Sequence, residues 1–143
     1  MPDHHAATEP PASDGLRVRK VPGEVASVVD RLTRALRRRG VELFATIDHA
    51  AGARAAGLEL DDEVLLVLGD PAVGTPLMQA DPRCGLDLPL RVLVWSDGAA
   101  TWLAFQDPAL LAERYAVGSG RPTLDRMRGL LEGLADELGA PLR

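Results

Sequence analysis

The side chain best suited to moving a proton near neutral pH is His49, because histidine is the residue whose unperturbed pKa lies between about pH 5 and 8. It follows Asp48 at the end of a β-rich run. Strand ends are where ligand sites are often built, so His49 reads as a general base or a metal ligand. Neighbouring strand residues point to opposite faces, which leaves Asp48 poorly placed to orient the imidazole. The plainer reading is that His49 caps the helix that follows or holds a loop, and the two readings stand level.

A second chemical candidate is the segment Gly69-Asp70-Pro71-Ala72-Val73-Gly74-Thr75-Pro76-Leu77-Met78-Gln79. It has no lysine and lacks the glycine spacing of a triphosphate loop, so nucleotide hydrolysis is rejected. With Thr75 as a cap and Pro76 at the first helical position, a short helix is expected over 75–79. Its free amides could hold a carboxylate or a single phosphate. The competing reading is a proline-locked turn that only joins two elements. Gly69 and Gly74 would allow close backbone approach, Pro71 and Pro76 would stiffen the loop, and Met78 would offer an adaptable apolar wall. Together with Asp87, placed just before the next strand, these residues make the expected ligand site: His49, Gly69, Pro71, Gly74, Thr75, Met78 and Asp87.

His49, Met78 and Cys84 could in principle ligate haem or copper. No motif spacing supports that reading, and no metal or cofactor is assigned. No serine lies in a nucleophile elbow, and Asp61-Asp62-Glu63 reads as a solvated turn.

The elements that must carry these residues follow from pattern. Leu16 to Val21 alternates as a strand and stops at Pro22-Gly23. Val25, Val28, Leu32, Ala35 and Leu36 recur at helical spacing, with arginines on the other side and Gly40 as the closing cap. Val41 to Ile47 and Val64 to Leu68 read as strands, with a small alanine-rich helix over 50–57 between them. Asp97-Gly98 between Arg91–Ser96 and Thr101–Gln106 announces a hairpin. Asp107-Pro108 opens a short helix ending near Tyr115, and Leu124, Met127, Leu131, Leu134 and Leu138 stripe a long final one. A strand-helix-strand opening, a C-terminal hairpin and a long closing helix imply an α+β domain whose sheet is mixed or antiparallel, with the helices mainly on one face.

At 143 residues the chain suits one domain over 16–143, behind a tail of residues 1–15 that is rich in proline and acid and expected to be disordered. Within that tail, His4 and His5 read as inert. One cysteine excludes an internal disulfide, and the first residues do not resemble a secretory leader, so a cytoplasmic location is expected. The apolar runs are too short to cross a membrane as helices. Asp3, Glu9 and Asp14 account for most of the net charge of −5, leaving the remainder near neutral and without a footprint for nucleic acid.

The motifs Asp48-His49-Ala50 with Gly57-Leu58, then Leu68-Gly69-Asp70-Pro71 with Gly74-Thr75-Pro76-Leu77-Met78, then Leu88-Pro89-Leu90-Arg91-Val92-Leu93-Val94 come in an order that resembles the domain-of-unknown-function family numbered 302. Asp70 and Cys84 depart from its pattern. The resemblance spans about residues 16–140 and implies a TATA-binding-protein-like fold and a small homodimer, without an established activity. A homodimer is also expected from the hairpin itself. Alternation puts Val92, Val94, Leu103 and Phe105 on one face and Leu93, Trp95, Trp102 and Ala104 on the other, and helices can cover only one of them. The Trp95 and Trp102 face is the one expected to pair.

The leading expectation is therefore a homodimeric sensor or binding module for a small molecule or anion, with no nucleic-acid or membrane partner. The alternatives are an enzyme using His49 as acid or base and a purely structural dimer.

Overall fold

The computed structural model describes residues 15–142. The tail expected over 1–15 thus lies outside the described residues except for Gly15. That glycine is tied in, with φ +88° and a carbonyl that accepts the Asp107 N–H at 2.6 Å.

Strand β1 (Leu16–Val21) leads through Pro22-Gly23 into α1 (Val25–Arg38), whose apolar stripe of Val25, Val28, Leu32, Ala35 and Leu36 is buried. Gly40 follows at φ +68°, the left-handed position a helix end favours for glycine. Strand β2 (Glu42–Asp48) runs into α2 (His49–Ala55), which Asp48 caps by accepting the Ala51 N–H at 2.8 Å. Strand β3 (Glu63–Gly69) precedes α3 (Pro71–Ala80), and a 3-10 turn over Pro82–Leu86 leads to the hairpin of β4 (Leu90–Ser96) and β5 (Thr101–Gln106). A short α4 (Leu110–Arg114) and the long α5 (Arg121–Gly139) complete the chain.

The strands form one sheet in the order β1-β5-β4-β3-β2, and every neighbouring pair is antiparallel. The opening strands β1 and β2 do not pair: α1 carries the chain across the sheet from one edge to the other. Leu66, Leu68, Val92, Val94, Leu103 and Phe105 all face the covered side and are buried against α1 and α5. On the edge strand β1, Arg17 reaches Asp107 at 3.3 Å and Arg19 reaches Asp136 of α5 at 2.7 Å, so this strand closes the covered side with ion pairs.

Opposed residues share a face, so the register places Leu65, Leu93 and Ala104 side by side on the open face, with Trp95 directly opposite Trp102. Among these, only Ala104 is fully buried; the leucines and tryptophans remain partly accessible.

Two helix starts differ from expectation: α4 begins at Leu110, with Asp107 capping only the turn ahead of it by accepting the Ala109 N–H at 2.9 Å, and α3 begins earlier than expected. The helix expected to start at Thr75 starts at Pro71, and its cap is Asp70, whose carboxylate accepts the Ala72 N–H at 2.9 Å. Asp70-Pro71 is the same cap-and-proline signal as Asp107-Pro108. Pro76 therefore sits inside a helix, and the Val73 and Gly74 amides are spent on the Asp70 carbonyl at 2.9 and 3.0 Å. That leaves no anion-binding helix start at Thr75.

Asp81 had no role in the sequence reading, yet it is a buried charge, only 4% exposed. Its carboxylate accepts from the Arg83 side chain at 2.8 and 3.0 Å and from the Ala116 N–H at 3.0 Å, which clasps the turn after α3 to the segment after α4. The Arg83 contact, followed by the Ala116 amide, holds the carboxyl well below the usual aspartate range. The folded state therefore favours the ionised form, and that stabilisation is complete above the ordinary aspartate pKa and lost as pH falls below it. Asp81→Ala is expected to lower Tm by several degrees at pH 7, with the gap to wild type narrowing below about pH 4. A gap independent of pH would assign the effect to packing alone.

Candidate ligand-binding site

Antiparallel pairing decides which strand ends meet. Glu42 pairs with Gly69 and Asp48 with Val64, so the start of β2 lies beside the end of β3. Leu90 pairs with Leu68, which brings the start of β4 to the same end of the sheet. Gly69, α3 and the Asp87-Leu88-Pro89 connection thus gather at one end, together with Gly40 and Val41 from the loop after α1. His49 follows the other end of β2 and lies at the opposite end of the sheet, exposed. Its expected partnership with Thr75 is therefore wrong. His49 and Thr75 would lie together only if β2 and β3 ran parallel, and they are antiparallel. For the same reason His49 does not meet Met78 and Cys84.

At the Gly69 end the chain encloses an open cleft of about 510 Å³. Gly69, Pro71, Gly74, Thr75 and Met78 line it, five of the expected site residues. The remaining walls come from elements that no local pattern assigned to the site: Phe44 on β2, Leu88 and Pro89 before β4, and Met127 and Leu130 on α5. Two guanidinium groups, Arg39 and Arg126, stand among them.

Phe44 reaches the cleft because of an irregularity in the sheet. The β2–β3 register shifts between Leu43 and Ala45, leaving Phe44 as the extra residue of a bulge. Its ring then lies against Gly69: a Cβ built there would stand 3.4 Å from the ring and 3.7 Å from Pro89. A larger side chain at Gly69 would press into both. Gly74 has more room, its nearest neighbour being the Leu88 side chain at 3.9 Å. Thr75 is exposed at the margin, and Met78 is half-buried.

Asp87 belongs to a different, smaller cavity of about 210 Å³, which reaches the open face through Leu65 and Leu93. Its carboxylate accepts the Tyr115 hydroxyl at 2.6 Å and Arg114 at 3.2 Å. The Tyr115 hydrogen bond, then Arg114, keeps Asp87 below the usual carboxylate range, while the same bond pushes the Tyr115 phenol up. Asp87 is thus engaged in joining the 3-10 turn to α4. The Cys84 thiol is buried in the core, and that burial pushes its pKa up, away from thiolate chemistry. Among the described residues, no group of three or more His, Cys, Asp or Glu is arranged to hold a metal ion.

The sequence profile of the family described as "Domain of unknown function DUF302" matches residues 17–134. A protein named fluoride-specific ion channel FluC 1 from Brucella suis biovar 1 (strain 1330) is 43% identical over 95 residues, which is 66% of this chain and 37% of that protein. A second FluC 1, from Brucella abortus biovar 1 (strain 9-941), is also 43% identical over 95 residues, 35% of its length. The match therefore spans little more than a third of these curated relatives. Among solved structures, the crystal structure of an uncharacterized conserved DUF302 protein from Bacillus stearothermophilus has a TM-score of 0.78 at 15% identity, covering 88% of this chain and 99% of that one. At that identity the likeness speaks for the fold.

Proposed function

We propose that this chain, which belongs to the DUF302 family, is a binding module that takes a small molecule in the cleft beside Gly69 and works as a homodimer joined through the open face of its sheet. The observation that carries the binding reading is the cleft itself. Its volume of about 510 Å³ falls within the roughly 300–1,000 Å³ of small-molecule sites. Its walls are mainly apolar, with few polar groups, as such sites require. The prolines at 71 and 89 and the helical setting of Gly74 stiffen the walls before anything binds, which lowers the cost of binding.

The dimer is supported by the partly accessible Trp95–Trp102 pair and the leucines beside it on the face opposite α1 and α5. An acid-base enzyme built on His49 has less support, because the imidazole is exposed and remote from the cleft. The channel activity in the Brucella names belongs to proteins matched over 37% and 35% of their length. Among the described residues no helix is long and apolar enough to cross a membrane.

Filling the cleft tests the binding reading. Gly74 lies inside α3 with only the Leu88 side chain near it, so Gly74→Leu projects a side chain into the cavity without disturbing backbone geometry. Replacing a helical glycine should also add up to about 1 kcal/mol of stability. In amide NMR spectra titrated with octanol, the Gly40 and Gly69 signals are expected to shift in the wild type and to stay fixed in the variant. Equal shifts in both proteins would overturn the assignment of the cleft.

A further inference from the structure

Resting on the reading of this cleft as a ligand site, we propose that its ligand is an amphipathic anion, a free carboxylate with a hydrocarbon tail, whose head pairs with Arg126. Two guanidinium groups, those of Arg39 and Arg126, stand in the lining. Arg39 is already engaged: it lies 3.3 Å from the Glu137 carboxylate, which Arg38 also approaches to 2.6 Å. Arg126 has no carboxylate within ion-pair distance among the described residues, and its side chain makes one long contact of 3.4 Å, to Thr123 Oγ1. It is an exposed cation at the margin of an apolar cleft with its donors largely unspent.

Arg126 and Leu130 are four residues apart on α5 and so share a helix face, with Met127 beside them. The charged head and apolar wall are thus in line along one helix. Phe44 and Met78 also line the cleft, an aromatic face and an adaptable thioether suited to a hydrocarbon chain. A carboxylate matches the planar fork of arginine in a way an ammonium or hydroxyl head cannot.

One feature of the rim works the other way. Asp70 also borders the cleft, and its carboxylate is held there by capping α3. Its charge repels an anion, which yields a second prediction of opposite sign. Asn caps a helix as well as Asp does, so Asp70→Asn removes the charge and keeps the helix start.

The test compares octanoate with octanol, two probes of one chain length that differ in head charge, titrated against the full chain with the Gly40, Gly69 and Gly74 amides as reporters. Octanoate is expected to bind more tightly than octanol. Arg126→Gln should weaken octanoate by about tenfold, the loss of one charge-assisted hydrogen bond, and leave octanol unchanged. Asp70→Asn should strengthen octanoate and leave octanol unchanged. If both probes move the cleft amides equally and Arg126→Gln changes neither, the anion assignment falls while the cleft stands as an apolar site. If neither moves those amides, or only amides elsewhere shift, both readings fall together.

Discussion

Leu77→Ala is expected to cost about 2–5 kcal/mol of folding stability, the range for deleting a fully enclosed leucine side chain. Leu77 is 1% exposed, on the inner side of α3, and it packs against the backbone at Gly120. A Cβ built on Gly120 would stand 2.6 Å from the Leu77 Cδ2, closer than real atoms come. Gly120→Ala is therefore expected to be destabilising as well, by about 1–3 kcal/mol through overpacking. The two effects share one space. In the double variant the new methyl enters the volume that Leu77 vacates, so the combined cost should fall clearly below the sum of the single costs. Urea denaturation of the four proteins measures this, and strict additivity would show that the sites do not touch. Because Leu77 anchors the helix that forms one wall of the cleft, Leu77→Ala should also weaken the octanol response of the Gly69 amide.

Trp95→Lys is expected to convert a dimer into a monomer of half the mass, read by light scattering at micromolar concentration. Trp95 stands on the open face opposite Trp102 on one side and Glu63 on the other. A lysine there places a charge at the centre of the proposed interface, where burying it without a partner is costly. Within the single chain the same lysine gains Glu63 as a cross-strand neighbour, so the monomer should stay folded with an unchanged circular dichroism spectrum. Trp102 is less suitable for this experiment. Its indole N–H donates to Asp97 Oδ2 at 2.9 Å, and Asp97 also accepts from the Ala99 and Ala100 amides, so its loss would disturb the hairpin turn. A wild-type protein that is already monomeric at these concentrations would remove the dimer from the proposal and leave the cleft untouched.

By itself the sequence determined most of what depends on neighbours in the chain. Alternation located β1 and β5 to the residue, the helical stripes of α1 and α5 named their buried side chains, and Asp97-Gly98 placed the hairpin turn. These signals are local, since periodicity, capping and turn chemistry act over a few residues. The misplaced start of α3 was also written locally: Asp70-Pro71 carries the cap that was assigned to Thr75. Five residues of the candidate site, Gly69, Pro71, Gly74, Thr75 and Met78, were legible as one segment after β3, although four of them lie in α3, Pro71 and Gly74 among them where a tight loop was expected.

Tertiary structure decided which of those loops share a space. Antiparallel pairing of β2 with β3 sent His49 to one end of the sheet and Gly69 to the other, a choice no pattern within either strand expresses. The bulge at Phe44 belongs to a pair of strands and has no signature in one of them. Arg126, Met127 and Leu130 come from a helix more than 50 residues further along, and they line the cleft only because α5 packs across the sheet beside α1. Asp81 carries a local Asp-Pro cap, accepting the Arg83 N–H at 3.0 Å, but its burial and its contact with the Ala116 N–H arise only once those segments are folded together. Contacts between distant segments are set by which faces can be buried together, and that is a property of the assembled layers.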